Sequence, residues 1–219
     1  MTEKKTLGFF PIDVYMWQND DINNYEVIDY LESIPRIPYN PAMPKTAEQT
    51  VLYNAHLEQD ERVAPVRDFI LNCLEEHRVE NNLDCDKLDI THMWANKVAA
   101  DAGAYIPHHR HPFSYMTGIY YLTQAETIFE DPVRERAFET LRVVDAQDPH
   151  FNIQTASIEC SPGTLLIFPS YLIHAVDQYL REDRWTIAFN VMPTGNVNRS
   201  FKTVGAYYEI SECKTEDPT

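Results

Sequence analysis

Positive charge is scarce in this chain: 18 lysines and arginines stand against 34 aspartates and glutamates, a formal net charge of -16. Such a surface repels polyanions on average, and no run of Lys or Arg marks a local basic groove, so DNA and RNA are not expected partners. Cysteine is sparse too. Cys73, Cys85, Cys160 and Cys213 are scattered without a CxxC spacing, which gives no zinc-like pairing to read and makes free thiols in a reducing cytoplasm the expectation. No apolar run approaches the roughly 20 residues that a bilayer-spanning helix needs. The opening MTEKKTLGFFPIDVYMW lacks the apolar stretch and small-residue cleavage site of a secretory leader. Glycine is the last shortage, six residues against 14 prolines and 13 tyrosines, and the chain has no internal repeat. That balance suits aromatic-rich strands joined by stiff connections.

The 219 residues fit one domain, because barrels and sandwiches often run to about 200–250 residues. LGFFPIDVYMW alternates like an early strand with Pro11 at an edge. NDDINNYEVIDYLESI predicts a short helix capped by Asp20 or Asp21, and PRIPYNPAMPK, with its four prolines, an extended loop. From Thr46 to about Arg78 the pattern is helical. Val63, Val66, Phe69, Ile70 and Leu74 form the buried stripe, and Pro65 marks a helix start. After Asp84 the texture turns to short β-branched and aromatic runs: LDITHMWANKVAA, TGIYYLTQ, FNIQTASIEC, GTLLIFPSYLIHAV and RWTIAFNVMP. The segment from Gln124 to Asn152 reads as a long loop, a candidate lid. Together these give an α+β chain, mainly β, a sandwich or barrel buttressed by N-terminal helices.

The chemistry concentrates in YIPHHRHPFS, Tyr105 to Ser114, which holds three of the eight histidines. On a strand, side chains two apart share a face, so His109 and His111 project together while His108 and Arg110 face the other way. Two imidazoles make two corners of a metal site, and His174, in FPSYLIHAV, is the best third. An HxH pair alone is weak evidence, since histidines beside prolines are common at surfaces. Ten residues beyond His174, Arg184 and Thr186 open the strand RWTIAFNV. A guanidinium entering a barrel core is costly unless it meets an anion, and a planar carboxylate is the natural partner. The alternative is a salt bridge to Glu182 or Asp183.

In order, Trp94–Ala95–Asn96, an HxHP element, TGIYYL, SPGTLLIFPSYLIHAV and DRWTIAFN resemble the 2-oxoglutarate/Fe(II)-dependent oxygenases. The likeness is to a branch frequent in marine bacteria and their phages, with an HxHP…SGxYY…FPSxLxH…RxS pattern, and runs from about residue 8 to residue 193. It implies a double-stranded β-helix (jelly-roll, cupin-like) core at 85–193, helical and strand support at 1–84 and a tail at 194–219, all one domain. It also implies Fe(II) held by His109, His111 and His174, with 2-oxoglutarate as cosubstrate and O2 as oxidant. Arg184 would bind the distal carboxylate of 2-oxoglutarate, assisted by Thr186. Trp94, Tyr105, Tyr120 and Tyr121 are candidates to line the cavity, Trp94 and Tyr121 among the cosubstrate contacts, with aromatic core packing the alternative for each.

One departure stands out. The superfamily's usual triad has a carboxylate where this chain has His111, so the site carries one more positive charge. A working three-histidine site, a vacant position, a different metal, and an acid recruited from elsewhere (Asp101 or Asp177) are the open readings. The expected reaction is hydroxylation of a small-molecule or peptidyl substrate, prolyl by analogy, with release of succinate and CO2. A non-catalytic or 2-oxoglutarate-independent cupin-like metal protein is the competitor. The residues do not choose the substrate or the oligomeric state.

Overall fold

The computed structural model describes residues 11–40, 42, 47–50, 56–100, 103–132, 155–177, 180, 182–200 and 208–210. The N-terminal part supplies β1 (Tyr15–Gln18), α1 (Asn24–Ser33), β2 (Ile37–Pro38), β3 (Glu48–Gln49) and α2 (Ala64–Glu80). Then follow β4 (Cys85–Val98), β5 (Ile106–His109), β6 (Met116–Tyr121), β7 (Ala125–Glu130), β8 (Thr155–Cys160), β9 (Thr164–Pro169), β10 (His174–Val176), β11 (Arg184–Val197) and β12 (Tyr208–Ile210). Among the described residues these strands make two antiparallel sheets. The larger has eight strands, ordered β1-β9-β6-β11-β4-β3-β2, with β12 also on β11. The smaller runs β5-β10-β7-β8. This is the two-sheet jelly-roll architecture, mostly β with helices on one side.

Strand parity decides what each face does. On β11, Trp185, Ile187, Phe189 and Val191 turn outward and join Tyr120 of β6 and Leu165 and Ile167 of β9 in one core, closed by Val66, Ile70 and Leu74 of α2 and Leu31 of α1. Each such fully buried aliphatic or aromatic side chain contributes about 1.5–3 kcal/mol. Truncating one, Ile70→Ala for instance, costs about 2–5 kcal/mol. The opposite faces meet between the sheets, where Tyr121, Phe129, Leu166, Phe168 and Leu172 form a second core. Gly118 is required on the outward face of β6: a Cβ there would lie 2.2 Å from the Phe189 ring and 2.7 Å from the Leu166 carbonyl oxygen.

Several expectations are corrected. The first helix is capped by Asn23, whose Oδ1 accepts from the Glu26 N–H. Asp20 is instead engaged by the Gln18 amide at 2.7 Å. The expected helix from Thr46 begins only at Ala64, because Pro65 sits in the first turn, where its missing N–H does no harm. Ahead of it lie β3 and two 3-10 turns, Leu57–Gln59 and Glu61–Val63. The expected loop from Gln124 starts instead with β7, whose alternation buries Ala125, Thr127 and Phe129. The remainder of that segment, 133–152, lies outside the described residues. The expected strand at LGFFPIDVYMW is confined to Tyr15–Gln18 within the described part. The sheet also continues past residue 193, through the end of β11 and into β12.

Candidate active site

Antiparallel pairing of β10 with β5 sets His174 directly opposite His109. His111 lies beyond the end of β5, so a loop rather than strand parity positions it. Its backbone N–H donates to the Ser170 carbonyl at 3.0 Å, which ties it to the turn that precedes His174. The three rings converge, with centroids 4.3 Å (His109–His174), 5.1 Å (His109–His111) and 5.2 Å (His111–His174) apart. One ligand nitrogen of each lies within 4.8 Å of the others. Trp94 stacks on His111, and Phe168 meets His174 edge-on.

Every ring has its Nδ1 engaged. His109 donates to the Pro107 carbonyl at 2.8 Å, His174 to the Leu172 carbonyl at 3.0 Å, and His111 to Asn190 Oδ1 at 2.7 Å. An Nδ1–H that donates leaves Nε2 with its lone pair, the form a metal takes. Burial lowers all three basicities: His111 falls to about 4 through desolvation and the neighbouring His109, His109 falls by desolvation, and His174 well below its usual range. At neutral pH the cluster is therefore uncharged.

The same cavity, about 310 Å³, runs to Arg184. Arg184 is 1% exposed, so it does not point to solvent, and no carboxylate meets it among the described residues. Its Nη1 donates to Thr186 Oγ1 at 2.9 Å and its Nη2 to Thr127 Oγ1 at 3.2 Å, while the Tyr121 ring lies 5.4 Å from the guanidinium carbon. Its Nε is buried without a partner among the described residues. A full charge held only by neutral groups is an expensive arrangement, and burial depresses its proton affinity. A carboxylate ligand would satisfy both the charge and the orphaned donor. Three neutral imidazole ligands and one buried guanidinium without a described counter-ion thus fit a divalent metal and a keto-acid with a distal carboxylate.

The cavity wall takes Arg184, Thr186, Ala188 and Asn190 from alternate positions of β11, Trp94 and Asn96 from β4, and Thr117 and Ile119 from β6. Asn190 is a functional candidate the sequence reading missed, although the alternation that placed Arg184 and Thr186 extends to it. Thr127 was missed because its strand was read as loop. Tyr39, which meets His109 edge-on at 5.8 Å, follows a two-residue strand with no periodic signal. Tyr121 lies behind Arg184 rather than on the wall and bonds Thr127. Tyr120 is corrected: it faces outward, with its hydroxyl donating to Asn24 Oδ1 at 2.8 Å and its ring against Phe69. Tyr105 is half-buried and does not line the cavity. His108 turns away to Glu130, 2.5 Å distant, but Arg110, expected to face the same way, lines the cavity because it lies past the end of β5, where strand parity no longer applies. No carboxylate joins the imidazole cluster among the described residues; Asp177 is exposed, and Asp101 lies outside them.

Residues 92–190 match the family model described as "Putative 2OG-Fe(II) oxygenase". Over this segment the chain is similar to the 2OG-Fe(II) oxygenases. The matched stretch contains the three histidines, Arg184 and every wall residue named above except Tyr39. The enzyme class is that of the 2-oxoglutarate-dependent oxygenases, whose cofactor is iron and whose cosubstrates are 2-oxoglutarate and O2. Solved structures agree on the fold. The non-heme alpha ketoglutarate dependent carbocyclase SnoK of nogalamycin biosynthesis superposes with a TM-score of 0.58 at 10% identity, over 84% of this chain and 81% of its own. An oxidoreductase of the 2OG-Fe(II) oxygenase family from Burkholderia pseudomallei gives 0.52 at 11% identity, over 85% and 87%. The epimerase SnoN gives 0.53 at 10% identity, over 92% and 89%. No curated protein matches the chain in sequence.

Proposed function

We propose that the protein hydroxylates a small-molecule or peptidyl substrate, with His109, His111 and His174 holding Fe(II) and Arg184 holding the distal carboxylate of 2-oxoglutarate. The observation that carries this reading is the fully buried Arg184 guanidinium, its Nε without a partner among the described residues, on the wall of the cavity that the three imidazoles enter. When bound, iron with 2-oxoglutarate and O2 supplies the oxidising power to place one oxygen atom in a substrate C–H bond and the other in succinate, with loss of CO2.

The rest is the work of this chain. The carbonyls of Pro107 and Leu172 and the amide of Asn190 fix the imidazole tautomers and aim Nε2 inward. Thr186 and Thr127 orient the guanidinium so that its remaining donors face the cosubstrate. Tyr121 covers its face, and Trp94, stacked on His111, narrows the metal end and excludes water there. Prolyl hydroxylation is an analogy of reaction type. Cys73, Cys85 and Cys160 are free, in keeping with a reducing, cytoplasmic setting.

The test is succinate release from 2-oxoglutarate with added Fe(II), comparing wild type with Arg184→Ala and His174→Ala. Both variants are expected to lose at least about 100-fold, in the range found when one partner of a buried charged pair is removed. Equal turnover in all three proteins would overturn the assignment.

A further inference from the structure

The cavity is anomalous in charge. The chain carries 34 acidic residues, yet none contributes to the cavity wall among the described residues, while two arginines do: Arg184 at the buried end and Arg110 at the exposed end. Most other described cations have an acid at hand. Arg36, Arg62, Arg67, Arg78, Lys87 and Lys97 each form an ion pair. Arg199 stands close enough to Asp86 to depress its pKa. Arg110 has no ion-pair, hydrogen-bond or ring partner among the described residues. In so acidic a protein, an unpaired guanidinium at the open end of this cavity is a site rather than surface filler.

The histidine at the third ligand position sharpens the point. A carboxylate there would cancel one charge of a divalent metal, and His111 cancels none. With the metal, Arg184 and Arg110 in place, dianionic 2-oxoglutarate still leaves the cavity with an excess of two positive charges. That excess, part of it buried and part at the open end with Arg110, favours a further anion. Arg110 is the group free to meet it, and the guanidinium fork matches a planar carboxylate bidentately. The volume of about 310 Å³ must also hold the cosubstrate, which limits the second molecule to a compact one.

We propose that the primary substrate is a small organic acid whose carboxylate is bound by Arg110 at the open end of the cavity. This rests on the reading of the site given above and extends it to the substrate class. It also explains how an acidic protein recruits an anion: the average field opposes approach, and recognition is local to one guanidinium.

The experiment uses Fe(II)-loaded protein with saturating 2-oxoglutarate under anaerobic conditions, so that binding is read without turnover. Matched pairs are titrated calorimetrically: L-leucine, L-proline and 3-phenylpropanoate against leucinamide, prolinamide and 3-phenylpropanamide, with glycerol 3-phosphate as the phosphate arm. At least one acid is expected to bind, its amide to bind roughly 10- to 100-fold more weakly, and Arg110→Gln to erase the difference, the range expected for a charge-assisted pair. Arg110→Lys, which keeps charge but not the fork, should retain part of it. Because Arg110 is exposed, the melting temperature of Arg110→Gln should match wild type, which separates lost binding from lost folding. Amides binding as well as acids, an Arg110→Gln protein that still discriminates, binding of the phosphate but of no acid, or no response to any acid would each overturn the proposal. If 2-oxoglutarate itself gives no binding heat in the wild type, the reading of the site fails first and takes this inference with it.

Discussion

The two ends of the cavity are built on opposite principles. At the histidine end every Nδ1 has been given a partner: each donates to an acceptor at 2.7–3.0 Å, and burial keeps all three rings neutral. That end is stable as it stands and offers lone pairs. At the arginine end a buried charge meets, among the described residues, only hydroxyls and a ring, and one donor is left unbonded. That end is complete only when an anion arrives. A protein can keep such a group only if the rest of the fold covers its cost, and the outward core on the other face of β11 does so. The contrast shows where ligand binding should stabilise the molecule most: the end that is unsatisfied without it.

The largest effect should come from Arg184→Met, which fills similar space without charge. Turnover falls at least about 100-fold, yet the metal-free, ligand-free protein melts no lower than wild type, since an unpaired buried charge has been removed. A large loss of stability together with activity would mean that the arginine is structural. Next comes Asn190→Ala at the histidine end. His111 loses its Nδ1 acceptor, and metal affinity measured by chelator competition drops about 10- to 100-fold, with little change in 2-oxoglutarate dependence once metal is saturating. An unchanged affinity would show that the His111 tautomer is set elsewhere. His111→Asp is expected to keep iron, because it restores the commoner two-histidine, one-carboxylate set, and complete loss of Fe(II) binding would count against the ligand assignment.

The smallest effect is the pH dependence of the metal-free protein. His77, buried under Tyr15, shares its lowered pKa with the three site histidines. All four are neutral when folded, and an unfolded histidine protonates near 6.5. Their contribution is therefore complete above about pH 6.5 and is lost as the pH falls through that value toward the His111 value of about 4. The urea midpoint in chelator should decline over that window. A midpoint that rises on acidification would show that the rings are not held neutral.

How much of this was legible in the residues depends on the length of the signal. β11 alternates over Arg184, Thr186, Ala188 and Asn190, and that alternation alone separates the cavity face from the core face of Trp185, Ile187 and Phe189. Reading it only as far as Thr186 was the reason Asn190 went unnoticed. His109 and His111 were paired by strand parity, but the pairing arises because the His111 loop is anchored to Ser170. β2 and β3, two residues each, carry no periodicity, so the edge that brings Tyr39 to His109 could not be foreseen. Thr127 was hidden for another reason: prolines and charges downstream of β7 gave the whole segment the look of a loop.

The most direct test of the account treats both ends as one site and titrates 2-oxoglutarate into the protein calorimetrically, with Fe(II) under anaerobic conditions and again in chelator. Tight binding is predicted only when metal and Arg184 are both present, with affinity reduced roughly 10-fold or more on metal removal and by still more in Arg184→Met. Equal affinity with and without metal, or in the presence and absence of the Arg184 guanidinium, would contradict it.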